Sequence, residues 1–68
     1  MKVKYFEDTD TALLEFSEQA VVETREINEN IYVDLDEDGN LVSMTIEHAK
    51  QRASLPEVVV EQFGRGVA

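Results

Sequence analysis

The 68-residue sequence contains no cysteine, and this absence excludes several structures and chemistries. Without thiols the chain has no disulfide to stabilise its core, no thiolate metal site and no cysteine nucleophile. Histidine is scarce as well, because His48 is the only one. One imidazole supports neither a catalytic triad nor a metal site, so we interpret His48 as a surface residue at a helix start. We therefore expect no metal, no cofactor and no catalytic residue, and a protein that is not an enzyme.

Long apolar runs are also missing. Residues 1–16 contain no apolar stretch long enough for the central region of a signal peptide. No segment approaches the roughly 20 apolar residues that a membrane-spanning helix needs. These observations predict a cytoplasmic protein that does not bind membranes.

Basic residues are few, since six lysines and arginines stand against fifteen acidic residues and give a formal net charge of −9. Between Tyr5 and Ala49 there are thirteen acids and one base, Arg25. Direct binding to nucleic acid or anionic lipid is disfavoured, because affinity for phosphate comes from lysine and arginine. Two interpretations of the acidity stay open: it keeps a small protein soluble, or it complements a basic protein partner.

A chain of this length allows a single domain, residues 1–68, with a small hydrophobic core. Small domains often gain stability from disulfides, metals or self-association. Because cysteine is absent, we expect a homo-oligomer, and a two-fold dimer is the commonest form.

The clearest local pattern is a β-hairpin from Ile31 to Ile46. Its acidic turn begins after Asp36, with Glu37 and Asp38 suited to the central positions of a type I turn. Gly39 suits the left-handed residue that closes such a turn as a bulge. On both arms, apolar residues alternate with polar ones, which predicts strands with one buried face. The alternating apolar residues are Ile31, Val33, Leu35, Val42, Met44 and Ile46.

Three further strands precede the hairpin. Lys2 to Phe6 alternates apolar residues with lysines, which are well placed to protect a sheet edge. Thr11 to Phe16 places Leu13 on the face opposite its other apolar residues, as in a strand covered partly on both sides. Val21 to Ile27 is predicted as a strand whose register stays open.

The third strand has two possible orientations. Val21 and Ile27 could share the inner face with Glu23 and Arg25 between them, or Val22 and Thr24 could face inward.

After Ile46 the pattern becomes helical. Glu47 to Ala53 has a helix-forming composition, and Ser54 to Glu57 fits a capping box with proline in the first turn. A helix then extends to Gly64, a typical C-terminal cap. The β-branched run Val58 to Val60 leaves a sixth strand open as an alternative.

These elements predict an α+β fold: an antiparallel β-meander of about five strands with a C-terminal helix packed on one face. One sheet and one helix leave Leu13, Val22 and Val60 without a buried position. Exposed apolar residues of this kind usually mark an interface. We expect self-association through the terminal strand or the C-terminal helix.

One stretch of the hairpin resembles half of a calcium-binding loop. Asp34, Asp36, Asp38 and Gly39 have the spacing that opens an EF-hand loop. The twelfth position, which should be a bidentate glutamate, is Thr45, and the flanks are strands. We therefore predict a solvated acidic turn.

Arg25 is the most informative charged residue, because it stands alone among acids. We interpret it as an ion-pair partner for neighbouring strands, or otherwise as an interaction residue. The favoured function is a non-enzymatic protein-binding or self-associating module. The alternative is a small enzyme or ligand-binding domain that uses sheet carboxylates with Arg25.

The residues also resemble a known family, the domain-of-unknown-function family 2283. The matching segments are Tyr5-Phe6, Asp8 and Asp10, Ala12 to Leu14, Thr24 to Ile27, Val33 to Val42, and Ile46-Glu47. Phe6 and Thr24 depart from this family, which often has aspartate and serine there. The resemblance implies a small prokaryotic protein with a meander sheet and a C-terminal helical element. It implies no activity and no catalytic residues. Some such acidic proteins are encoded beside predicted toxins, which suggests antitoxin-like binding.

Overall fold

The computed structural model describes residues 1–52. Five strands and one short helix occupy this part of the chain, and the strands form one antiparallel sheet, as predicted. The predicted helix up to Gly64, with Val60 and the alternative strand, lies outside the described residues. The elements are β1 (Lys2–Phe6), β2 (Thr11–Glu15), β3 (Glu23–Asn28), β4 (Ile31–Leu35), β5 (Leu41–Glu47) and α1 (Ala49–Arg52).

The predicted antiparallel sheet of five strands is confirmed, but its strand order, β1-β2-β5-β4-β3, is not strictly that of a meander. β3, β4 and β5 form a meander, but β2 pairs with β5 and not with β3. Composition explains the arrangement. β2 is rich in apolar residues, and a position between two other strands buries more of them than an edge position. β3 carries polar and charged side chains and takes an edge, where charges discourage unwanted pairing.

Apolar rows cross the sheet on one face, which we call the apolar face. Directly paired residues share a face, so the registers define these rows. They bring the apolar residues of both hairpin arms together with those of β1 and β2. One row is Val3, Leu14, Met44, Val33 and Arg25, and the next is Tyr5, Ala12, Ile46, Ile31 and Asn28.

The opposite face, which we call the polar face, carries most of the hydroxyl and charged side chains. Lys4 and Glu15 form an ion pair across β1 and β2 at 3.1 Å. Leu13 is half-buried on this face, where it is paired with Lys4 and Thr45. The prediction that Leu13 lies opposite the other apolar residues of its strand agrees with this register.

The core within residues 1–52 is small. Among these residues the buried apolar side chains are Ala12, Val42 and Ala49, and no large side chain is fully enclosed. The larger aliphatic residues of the apolar face are half-buried. A single sheet with a four-residue helix provides too little cover to remove them from water.

The chain changes direction where β5 ends. The predicted helix from Glu47 to Ala53 begins later than expected, because Glu47 is still paired with Thr11 in the sheet. His48 then adopts a left-handed conformation (φ 57°) and α1 starts at Ala49. The His48 Nδ1 lies 2.9 Å from the Asn30 Oδ1, a contact that stabilises this reversal. Within residues 1–52 no helix has the length and apolar character that crossing a membrane requires.

The structure settles the register of the third strand. Glu23 is paired with Leu35 and Arg25 with Val33, so both charged residues lie on the apolar face. Thr24 is paired with Asp34 on the polar face. The side chains at positions 23, 24 and 25 are all polar. Alternation of apolar and polar residues therefore could not show which of them share the apolar face.

The turn between β4 and β5 contains a left-handed glycine. The N–H of Gly39 donates to the carbonyl of Asp36 at 3.0 Å, which places Glu37 and Asp38 at the central positions. Gly39 has a φ of 80°. Its missing Cβ would meet no atom within 4 Å, so the requirement for glycine is conformational and not steric.

Replacing Gly39 with valine should lower the free energy of unfolding by about 1 kcal/mol or more, because a β-branched residue resists positive φ. Urea denaturation provides the measurement. Asn40→Val is the matched control, since Asn40 is exposed and its φ is not positive. Equal midpoints for the two variants would contradict the assigned role of Gly39.

Candidate functional site

The ion pair on β3 is the most exposed charged pair of the described chain. The Arg25 Nε donates to the Glu23 Oε2 at 2.7 Å, and a second guanidinium nitrogen lies 3.3 Å from the Oε1. Side-chain exposures of 62% for Arg25 and 49% for Glu23 show that both groups remain in water. Arg25 lowers the pKa of Glu23, chiefly through this hydrogen bond, and Glu23 raises that of Arg25.

The expectation that Arg25 pairs with neighbouring strands was wrong. On β4 the residue opposite Arg25 is Val33, which offers no charge. Glu23 lies two positions away on the same strand and therefore on the same face, within reach of a long guanidinium side chain. Because both partners sit at an edge, the pair is open to a second molecule.

Large apolar side chains flank this ion pair. Val21, Val22 and Ile27 are 47%, 62% and 60% exposed, respectively. They lie immediately before β3 and near its end, so residues 21–28 form a strip that we call the β3 edge. The structure does not bring Val22 together with Leu13, which is half-buried on β2, and Val60 lies outside the described residues.

A carboxylate that the sequence analysis did not single out for this role joins three strands on the polar face. The Thr24 Oγ1 donates to the Asp34 Oδ1 at 2.6 Å, and the Ser43 Oγ donates to the Asp34 Oδ2 at 2.6 Å. Both oxygens of Asp34 are thus used inside the protein. The hairpin predicts the proximity of Ser43, but the contact with Thr24 depends on the β3 register.

The acidic turn also satisfies its own hydrogen bonds. The Asp36 Oδ1 accepts from the N–H groups of Asp38 and Asn40 at 3.0 and 2.9 Å. An aspartate that binds two backbone amides stabilises a turn without any cation. In the part of the chain that the structure describes, no group of three or more potential ligands could hold a metal ion.

Asp10 connects the first hairpin to α1. Its Oδ1 accepts from the Tyr5 hydroxyl at 2.6 Å and from the Lys50 N–H at 2.9 Å, and its carbonyl accepts from the Ala49 N–H. The residue holds a left-handed conformation with a φ of 53°, which aspartate tolerates better than most side chains. Because Asp10 and Lys50 are 40 positions apart in the sequence, no local pattern could reveal this contact.

The Asp10 contacts shift two pKa values in opposite directions. The hydrogen bond from Tyr5, followed by the backbone hydrogen bond from Lys50, lowers the pKa of Asp10. The same bond to Asp10 raises the pKa of Tyr5 to about 12. The charged carboxylate and the neutral phenol are therefore the forms that the fold favours.

The depressions in the described surface are shallow. One of about 440 Å³ is lined by Tyr5, Glu7, Asp10 and Lys50. Another, of about 180 Å³, lies between the end of the loop after β2 and the acidic turn. Arg25 lines none of the four depressions described in residues 1–52, so no sheet carboxylate converges with it in a cavity.

Asp10→Asn should weaken the acid dependence of stability, because asparagine keeps the left-handed backbone but carries no charge. The pKa of Asp10 is lower in the folded state, so its contribution is present above the unfolded pKa of about 4 and is lost as the pH falls through the folded pKa. Thermal unfolding between about pH 6 and 2 measures this slope. We also expect the pKa of Tyr5 to move back toward 10 in the variant.

Asp8→Asn is the matched control, since it removes the same charge from the same turn. A control with the same loss of acid dependence would contradict a specific role for Asp10.

Calcium should produce no saturable change at residues 34–40, because both carboxylate oxygens of Asp34 and the Oδ1 of Asp36 already accept internal hydrogen bonds. Amide chemical shifts followed by NMR during a calcium titration provide the test. Shifts that saturate at micromolar calcium would overturn this prediction.

Comparison with known proteins gives a family and no activity. The model of the family described as "Protein of unknown function (DUF2283)" matches residues 2–50, which include all five strands. No curated protein and no solved structure matches the chain significantly. The match covers well over half of the 68 residues, and the resemblance found in the sequence is therefore confirmed: the chain belongs to the DUF2283 family of proteins of unknown function.

Proposed function

We propose that this protein is a non-enzymatic protein-binding module and that the β3 edge is its binding surface. The observation that carries the proposal is the exposure of Val21, Val22 and Ile27 beside an open ion pair. Exposed apolar residues next to charged ones are typical of interaction sites.

The backbone of the β3 edge supports the same function. Within the described residues β3 pairs with β4 alone, and every residue of β3 is exposed. The outer side of an edge strand presents N–H and C=O groups that another strand can bind. Addition of a strand to a sheet edge is a common mode of protein recognition, in which backbone bonds give affinity and side chains give specificity.

The alternative, an enzyme or ligand-binding domain that uses sheet carboxylates with Arg25, has less support. Catalytic and ligand sites are usually concave, and they gather several polar groups in one pocket. Arg25 instead bonds Glu23 on an open strand, and Asp34 is engaged by two hydroxyls.

The acidic composition bears on the choice of partner. The β3 edge carries both charge signs, in Glu23, Arg25 and Glu26, and so does not by itself select a basic protein. The basic partner and the antitoxin-like role therefore stay predictions. Self-association in the cytoplasm is the form of binding that we favour.

Site-specific photo-crosslinking in the cells that produce the protein tests this proposal. A photoreactive phenylalanine analogue replaces Ile27 on the β3 edge or, as the matched control, Phe6 at the end of β1. Both positions are exposed, at 60% and 48%. We expect protein adducts from the Ile27 position and few from the Phe6 position, with mass spectrometry identifying the adduct. Absence of adducts from Ile27, or equal yields from both positions, would contradict the proposed surface.

A further inference from the structure

We propose that the partner of the β3 edge is a second copy of this chain, paired antiparallel with Thr24 on the two-fold axis. Two five-stranded sheets would then join into one continuous ten-stranded sheet. This inference rests on the proposed function, because it identifies the partner of the same surface.

The backbone of β3 shows which residues can make the new hydrogen bonds. The Glu47 N–H donates to the carbonyl of Asn30 at 2.7 Å, so the backbone groups of Glu47 face β4. Orientation alternates along an antiparallel strand, so the groups of Ser43 also face β4, and those of its partner Asp34 face β5. Thr24 is paired with Asp34 across β3 and β4, so its own backbone groups face outward. An outward Thr24 can exchange two hydrogen bonds with Thr24 of a second copy.

Symmetry restricts the possible registers. A two-fold axis perpendicular to the sheet maps one residue onto its own copy, so the register is defined by the residue on the axis. Axes at Glu23, Arg25 or Glu26 would each place a charge opposite the same charge. Like charges directly opposite each other destabilise a strand pair. Thr24 is the central residue of β3 that avoids this repulsion.

The register with Thr24 on the axis is also complementary in its side chains. It places Glu23 opposite Arg25 of the second copy, and this happens twice by symmetry. These are non-hydrogen-bonded pairs, in which the side chains approach most closely. Val21 and Ile27 lie on either side of these pairs, Ile27 at the register shift between Glu26 and Asn28, so exposed apolar residues of one copy would lie near those of the other. Opposite-charge and Thr–Thr cross-strand pairs are each favourable.

On the other edge of the sheet, most positions of the two-fold axis bring like charges together. β1 carries Lys2 and Lys4 on one face, two positions apart. An axis at Lys2, Val3 or Lys4 places a lysine opposite a lysine. Pairing of β1 with β3 would match opposite charges, but it is head-to-tail and would generate open polymers instead of a closed dimer.

A charge swap tests the register. Light scattering after size exclusion, at physiological salt and over a series of concentrations, should give a dimer for the wild type. Glu23→Arg makes both cross-strand ion pairs repulsive and should raise the dimer dissociation constant at least about ten-fold. The double variant Glu23→Arg/Arg25→Glu restores opposite charges and should recover most of the affinity. Glu26→Arg is the matched control, because it changes the charge equally but takes part in neither cross-strand ion pair.

Cysteine crosslinking gives a second, independent readout in a chain that contains no cysteine. Opposed residues in a hydrogen-bonded pair have Cα atoms about 5.5 Å apart, inside the range of roughly 4.4–6.8 Å that disulfides need. Oxidation of Thr24→Cys should therefore give a covalent dimer. Oxidation of Glu26→Cys should not, because the two copies of residue 26 would be four positions out of register.

Each possible outcome decides the inference. A wild type that remains monomeric up to about 1 mM overturns it, as do open polymers or crosslinking of Glu26→Cys in preference to Thr24→Cys. Failure here leaves the proposed function testable by itself: adducts from Ile27 with a different protein would retain the β3 edge as a binding surface and replace its partner. A missing dimer together with missing adducts would overturn both.

Discussion

The register between β4 and β5 is the constraint on which the rest of the structure depends. The turn at residues 36–39 joins these strands, and its backbone bonds determine which residues stand opposite each other. Side chains alternate strictly along a strand, so a shift by one residue would exchange the two faces. The observed register puts the hairpin's apolar residues on one face and leaves Asp34 beside Ser43 on the other. β2 and β3 then add to faces that are already defined.

A sheet this small cannot bury all its apolar residues, and part of the surplus lies at the β3 edge, where Val21, Val22 and Ile27 are exposed. Within the described residues the buried apolar side chains are small or of medium size, and large ones remain half-buried or exposed. Polar contacts also hold the strands and the helix in place. Asp34 joins three strands through hydroxyl groups, and Asp10 joins the first hairpin to α1. These contacts are directional and specify geometry more than they contribute free energy. The β3 edge therefore has exposed apolar residues that a partner would cover.

Local signals in the sequence were sufficient for the strands but not for their order. Alternation predicted all five strands to within about two residues, since each pattern needs few neighbours. The pairing of β2 with β5 joins residues about 30 positions apart, and no local rule selects it over pairing with β3. The β3 register was undetermined because its side chains lack a clear apolar face. The left-handed Asp10 and His48 went unnoticed because such conformations are usually sought at glycine. Both are held by contacts that only the folded chain provides.

The negative net charge of the chain opposes its self-association. The distances over which repulsion and attraction act decide which of them prevails. Two copies of net charge −9 repel, but the repulsion between exposed charges is screened over about 8 Å at physiological ionic strength. Cross-strand partners lie about 5 Å apart and are attracted within that distance. Arg25 is the only base between Tyr5 and Ala49, and the fold places it on an edge strand beside an acid two positions away. An arginine followed or preceded by an acid at this spacing matches itself when the strand is reversed. A chain that is almost uniformly acidic can thus be self-complementary along a single strand, because complementarity depends on the order of charges and not on their sum.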